Sequence, residues 1–164
     1  MQLIVFTGLQ ASGKTTFYLR HFLPTHLRLS LDQLNGSRQR EWLLFRAALE
    51  SKTPTVIDNT NPSAAERARY VAPAKGAKYE VASYYFESTI EDCLARNATR
   101  DGPQRIPDPG VRGCHRRLEV PAWYEGFDAL RVVRINPDGS FAVRERPRPE
   151  AAAPDPTLTI PDPP

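Results

Sequence analysis

The 164-residue sequence predicts an α/β fold, a parallel sheet of about five strands with helices on both faces and an arginine-bearing lid. Three observations predict it. Short apolar runs alternate with longer segments of helical period along the chain. A glycine-bearing turn joins the first run to the first helical segment. Acidic residues follow the second and third runs directly, at the strand ends where such sheets hold ligands.

The elements follow in order. Residues 3–6 form an apolar run of the length of a buried strand, and residues 16–22 a helix. Residues 27–31 are a second strand. Residues 38–51 form a helix with Ser37 as N-cap and with Trp42, Phe45 and Leu49 on one face. Residues 55–57 are a third strand. Asn61 with Pro62, or the Ser63–Glu66 capping box, starts a helix that ends near Gly76. Residues 79–86 are a fourth strand and residues 90–100 a helix. A loop rich in proline and glycine, residues 102–110, precedes a helical stretch over 111–118. Residues 130–135 form a fifth strand. Asn136-Pro137-Asp138-Gly139 is a turn signal, after which residues 141–144 pair back as a hairpin edge. Residues 1–146 then make one domain. Residues 147–164 hold seven prolines and read as a disordered tail or a proline-motif ligand.

Composition narrows the class. No run approaches the ~20 apolar residues of a membrane span. The first strand begins without a basic leader, so a cytoplasmic protein that meets no membrane is expected, with Cys93 and Cys114 as reduced thiols. Net charge is only +3, yet eighteen of the twenty-two basic residues are arginine. Arginine suits bidentate phosphate recognition, and a GC-rich coding bias produces the same excess.

The stretch TGLQASGKTTF, residues 7–17, carries the strongest chemistry. Gly8, Gly13, Lys14 and Thr15 fit G-x-x-x-x-G-K-[ST], the P-loop pattern, in its strand–turn–helix setting. Such a loop turns successive N–H groups toward a polyphosphate at a helix N-terminus. Nucleotide contacts are therefore expected from Gly8, Leu9, Gln10, Ala11, Ser12, Gly13, Lys14, Thr15 and Thr16. Lys14 reaches the β- and γ-phosphates, and the Thr15 hydroxyl suits Mg²⁺. ATP is the default donor, since no guanine-reading motif stands out. The bland alternative is a glycine turn with a solvated lysine.

Two carboxylates share that edge. Asp32 follows the second strand in LRLSLDQL, and Asp58 the third in PTVIDNTN. A kinase needs one carboxylate to take the acceptor proton and an acid near Mg²⁺ or its waters. Taken singly, Asp32 reads equally as a helix cap and Asp58 as an Asx-turn. Residues 96–117 add Arg96, Arg100, Arg105, Arg112, Arg116 and Arg117. Arg96 and Arg100 share a helix face, and the loop after them has the placement of a lid that delivers cations to a transferring phosphoryl group. A solvated basic face is the plain alternative.

In this order, GLQASGKTTF, LSLDQL, VIDNTNPSAAERARYV, RNATR and LEVPAWYEGFDAL resemble the polynucleotide 5′-hydroxyl kinases over residues 3–135. DNTNP, RARY and EGF are similar to the kinase half of the animal kinase–phosphatase. The resemblance implies Lys14 and Thr15 on ATP and Mg²⁺, and Asp32 as general base on a 5′-hydroxyl. It implies Asp58 in the acceptor or metal shell, and Arg96 and Arg100 as lid arginines. The substrate implied is a 5′-hydroxyl polynucleotide, RNA or DNA. Two positions depart from the family. Ser30-Leu31-Asp32 replaces a frequent N-R-D. Asn35 stands where some members carry an arginine for the acceptor phosphate, which leaves Arg38 or Arg40 for that task. No phosphatase motif Asp-x-Asp-Gly is present, in keeping with a free-standing kinase module. A small-molecule P-loop kinase and a non-catalytic ATP switch are the competing classes.

Overall fold

The computed structural model describes residues 1–149. Its sheet has six strands, β1 (Gln2–Thr7), β2 (Leu27–Leu29), β3 (Thr55–Ile57), β4 (Glu80–Phe86), β5 (Ala129–Ile135) and β6 (Phe141–Glu145), in the spatial order β2-β3-β1-β4-β5-β6. The first five run parallel, with Leu3 opposite Thr55 and Val81. The sixth turns back antiparallel on β5, as the Asn-Pro-Asp-Gly signal predicts. The helices are α1 (Lys14–His21), α2 (Arg38–Glu50), α3 (Ala64–Gly76), α4 (Ile90–Ala98) and α5 (Asp108–Arg116).

Alternation along β1 supplies both faces. Leu3 and Val5 point to a core shared with Phe45 of α2 and with Tyr70, Val71 and Ala74 of α3. Ile4 and Phe6 point to the other side, where Phe17 and Tyr18 of α1 and Phe86 cover them. Phe6 meets Phe86 edge-on at 4.9 Å between ring centroids, and Phe17 meets Phe141 at 5.0 Å. Such pairs add about 0.5–1.5 kcal/mol each beyond burial. A third cluster joins Leu9 of the P-loop to Cys93 and Val111, so the helices of the expected lid share a core with that loop. Cys93 and Cys114 are both free thiols, buried there.

Helix starts obey local rules. Ser37 accepts from the Arg40 N–H at 3.3 Å, and Ser63 from the Glu66 N–H at 3.2 Å. The expected helix over 111–118 begins three residues earlier, because Pro109 fits the first turn, where its missing N–H costs nothing. The inner face of α2 also differs from the expectation. Glu41, Phe45 and Ala48 are buried, while Trp42 stays 41% exposed. A carboxylate takes the inner position because Arg38, Tyr70 and Asn59 all donate to it. That network, led by burial, pushes the Tyr70 phenol above its ordinary range.

Of the expected tail, residues 150–164 lie outside the described residues. Its first two residues pack on the domain: Trp123 Nε1 donates to the Pro147 carbonyl at 3.1 Å, and the Arg148 guanidinium lies 4.9 Å from the Trp123 ring.

Candidate active site

The P-loop bends where two glycines leave no room for a side chain. A Cβ on Gly8 would stand 2.9 Å from Phe86 Cβ, and one on Gly13 would stand 2.8 Å from Ile135 Cδ1. Gly13 also adopts φ +91° as the N-cap of α1. The Gly8 N–H donates to the Thr60 carbonyl at 3.0 Å, which fastens the segment after β3 to the loop.

Lys14 is buried at the centre. Its Nζ donates to the carbonyls of Gly8 at 3.0 Å and Leu9 at 2.5 Å, with Ser12 Oγ at 3.4 Å. Burial holds its ammonium below the ordinary lysine range, and the nearby Asp58 charge opposes that shift. A polyphosphate in the same cradle would favour the charged form further.

Thr15 and Asp58 come together as expected: Thr15 Oγ1 donates to Asp58 Oδ2 at 3.0 Å. Adjacent oxygens around an octahedral Mg²⁺, each at about 2.0–2.1 Å, stand roughly 2.9 Å apart, so this donor pair fits one edge of that shell. Among the described residues, no group of three His, Cys, Asp or Glu side chains is arranged to hold a metal ion. A divalent cation here would lean on phosphate oxygens and water. Arg28, missed in the sequence, reaches the same pair. Its Nε donates to Asp58 Oδ2 at 2.8 Å and its Nη2 to Thr15 Oγ1 at 3.1 Å.

Asp32 lies exposed in the turn over residues 31–36. The Asn59 side chain anchors that turn by accepting from the Leu31 N–H at 2.9 Å, one residue beyond Asp58. Asn35 stands where some polynucleotide kinases carry an arginine. It adopts φ +52° ahead of Gly36, a backbone role that asparagine fills and arginine fills poorly. Arg38 is committed to Glu41 Oε2 at 3.1 Å and to the Tyr70 hydroxyl at 2.9 Å, and is partly exposed. It borders a cleft of about 500 Å³ between α2 and α3, lined also by Trp42, Arg69 and Pro73. Arg40 lies on the exposed side of α2, outside that lining.

The arginines of the expected lid divide by position. Arg96 Nε donates to the Ala11 carbonyl at 2.8 Å, inside the P-loop. Arg96 and Arg100 line a second pocket of about 290 Å³ with Ala11, Gly13, Thr16, Ile135 and Phe141. The buried Asn97 holds the loop beyond α4 by bonding both the carbonyl and the N–H of Ile106. Arg117 instead pairs with Glu66 at 3.2 Å. The hairpin residues in this pocket went unread in the sequence, since nothing local marks Ile135 and Phe141 as neighbours of Gly13.

Fold and site together define a P-loop nucleotide-binding protein with the architecture of the P-loop kinases. The chain belongs to the AAA domain family, whose profile residues 3–121 match. Among solved structures it is similar to Kti12 of Chaetomium thermophilum in complex with ADP-AlF3, with a TM-score of 0.64 and 20% identity over 84% of this chain and 92% of that one. A fungal RNA kinase superposes with a TM-score of 0.55 and 15% identity, over 82% of this chain and 74% of that one. A complex of AvrRxo1-ORF1 and ORF2 with ATP gives a TM-score of 0.61 and 15% identity, over 87% of this chain and 57% of that one. At these identities the likeness is one of fold.

Proposed function

We propose that the protein is an ATP-dependent kinase that transfers the γ-phosphate to the 5′-hydroxyl end of a polynucleotide. One observation carries the reading. Asp32 follows β2 on the sheet edge where Lys14 and Asp58 follow β1 and β3, and the next helix, α2, borders an open cleft lined by Arg38, Trp42 and Arg69. The ordered resemblance to polynucleotide kinases and the shared fold of a fungal RNA kinase support the choice of acceptor.

The chemistry follows from these side chains. Asp32 accepts the proton of the 5′-hydroxyl as its oxygen attacks the γ-phosphorus. The bond from that phosphorus to the bridging oxygen breaks, and ADP leaves. Lys14 neutralises charge that builds on the transferring group, and the P-loop N–H groups hold the β-phosphate. Arg96 and Arg100 approach the same oxygens from the lid side. Thr15 and Asp58 would hold Mg²⁺, which when bound shields the phosphate charges. Along the cleft, Trp42 is exposed enough to stack a nucleobase, and Arg69, with Arg38 if it turns from Glu41, would meet phosphates.

Incubation with γ-labelled ATP, Mg²⁺ and short 5′-hydroxyl RNA and DNA strands tests the proposal. Label should pass to these strands and not to 5′-phosphorylated controls, weakening steeply with salt as backbone contacts release counterions. The cleft volume also suits a small molecule, so efficient labelling of a nucleoside or sugar, with none on any strand, would move the protein to the small-molecule kinases. Asp32→Asn should keep ATP affinity and lose turnover by ~10²-fold or more. Collapse of ATP affinity with saturated turnover intact would place Asp32 in the nucleotide site instead.

A further inference from the structure

Arg28 places a permanent cation on the two oxygens that a divalent ion needs. Both guanidinium contacts to Asp58 fall on one oxygen, Oδ2, from Nε at 2.8 Å and from Nη2 at 2.7 Å. The same oxygen accepts from Thr15 Oγ1 at 3.0 Å. Nη2 in turn donates to Thr15 Oγ1 at 3.1 Å, using a lone pair that a metal ligand must offer. Three donors on one carboxylate oxygen leave it no free direction toward a cation.

We propose that Arg28 is a displaceable counter-cation, which holds Asp58 and Thr15 until a divalent ion, arriving with nucleotide, takes its place. This rests on the reading of the P-loop as a nucleotide site and not on the choice of acceptor. A guanidinium and a divalent ion repel strongly at this separation, so the two occupy the oxygen pair in turn. The fold leaves Arg28 somewhere to go. It sits on β2, the edge strand of the sheet, with a side chain 16% exposed. Its Cζ already lies 5.7 Å from the centroid of the Tyr18 ring, a face that receives a cation. Asp58 keeps a second positive neighbour in Lys14, so loss of the Arg28 contact does not leave it uncompensated. An arginine that merely ties β2 to β3 would show no such exchange.

The test uses Mn²⁺ in place of Mg²⁺ and counts free ion by electron paramagnetic resonance, with and without ADP. Arg28→Met should bind Mn²⁺ on the order of tenfold tighter than the parent in the presence of ADP. ADP affinity in EDTA should change by no more than about twofold, since Arg28 touches no loop N–H. Arg28→Lys keeps the charge without the fork and should fall between. In an Asp58→Asn background the gain from Arg28→Met should vanish. Unchanged or weaker Mn²⁺ binding by a folded Arg28→Met protein overturns the proposal, as does a gain that persists without the Asp58 carboxylate. If Arg28→Met does not fold, Arg28→Lys decides, and affinity equal to the parent's counts against displacement. Failure of the parent to bind ADP either in EDTA or with Mn²⁺ would sink the nucleotide-site reading, whereas ADP binding with no gain in Arg28→Met overturns the displacement alone.

Discussion

Lys14→Ala is expected to cut phosphoryl transfer by about 10²–10³-fold while the domain stays folded. The expected loss is large because Lys14 is the cation at the centre of the loop, buried among the carbonyls of Gly8 and Leu9. Among the described residues no other lysine bonds the loop, and Arg96 is turned onto Ala11 from outside. The fold tolerates the change, because the ammonium bonds only within the loop and its burial already disfavours the charged form. Steady-state kinetics beside a thermal unfolding curve separate the two effects. A folded Lys14→Ala protein with near-normal turnover would falsify the assignment of the loop to the transferring phosphate.

Arg67→Ala should lower stability by about 3–5 kcal/mol, a large share of the roughly 5–15 kcal/mol that holds a domain of this size. Arg67 is fully buried. Its Nε and Nη2 clasp both oxygens of Glu125, at 2.7 and 2.8 Å. Its Nη1 donates to the carbonyls of Asn61, Pro62 and Glu119, at 3.0, 3.1 and 2.9 Å. Removal leaves a buried carboxylate and three carbonyls without that donor. Arg67→Met combined with Glu125→Leu removes both charges and should recover much of the loss, which denaturant titration of the single and double variants measures. An Arg67→Ala protein within about 1 kcal/mol of the parent would contradict the geometry. Activity should fall as well, because Arg67 holds the segment 58–62 that carries Asp58 and bonds Gly8.

How much of the site could be read beforehand depended on distance along the chain. Gly8, Gly13, Lys14 and Thr15 lie within one turn and its helix, and their spacing alone specified the cradle. That Asp32 and Asp58 share one edge was legible because parallel strands bring their C-terminal ends there. Arg28 was not, although a cation between Leu27 and Leu29 interrupts an apolar strand and hints at a buried partner. That partner, Asp58, is 30 positions away. Arg67 recurs at core spacing with Tyr70, Val71 and Ala74, a charge on an inner face. Its acceptor, Glu125, is 58 positions on. The resemblance marked Asn35 as a missing phosphate contact, and its left-handed backbone in the turn was not legible from that comparison.

The sequence by itself determined the strand–helix alternation, the phosphate loop, and the edge on which the carboxylates gather. These depend on periodicity and on hydrogen bonds between near neighbours, which a linear pattern records. The tertiary structure alone decided which charges are buried and with whom: Glu41 beneath Tyr70, Arg67 on Glu125, Arg28 on Asp58. It also brought the β5–β6 hairpin against Gly13 to wall the second pocket. A buried charge is tolerated only where a partner from elsewhere in the chain meets it, and no local pattern encodes that meeting.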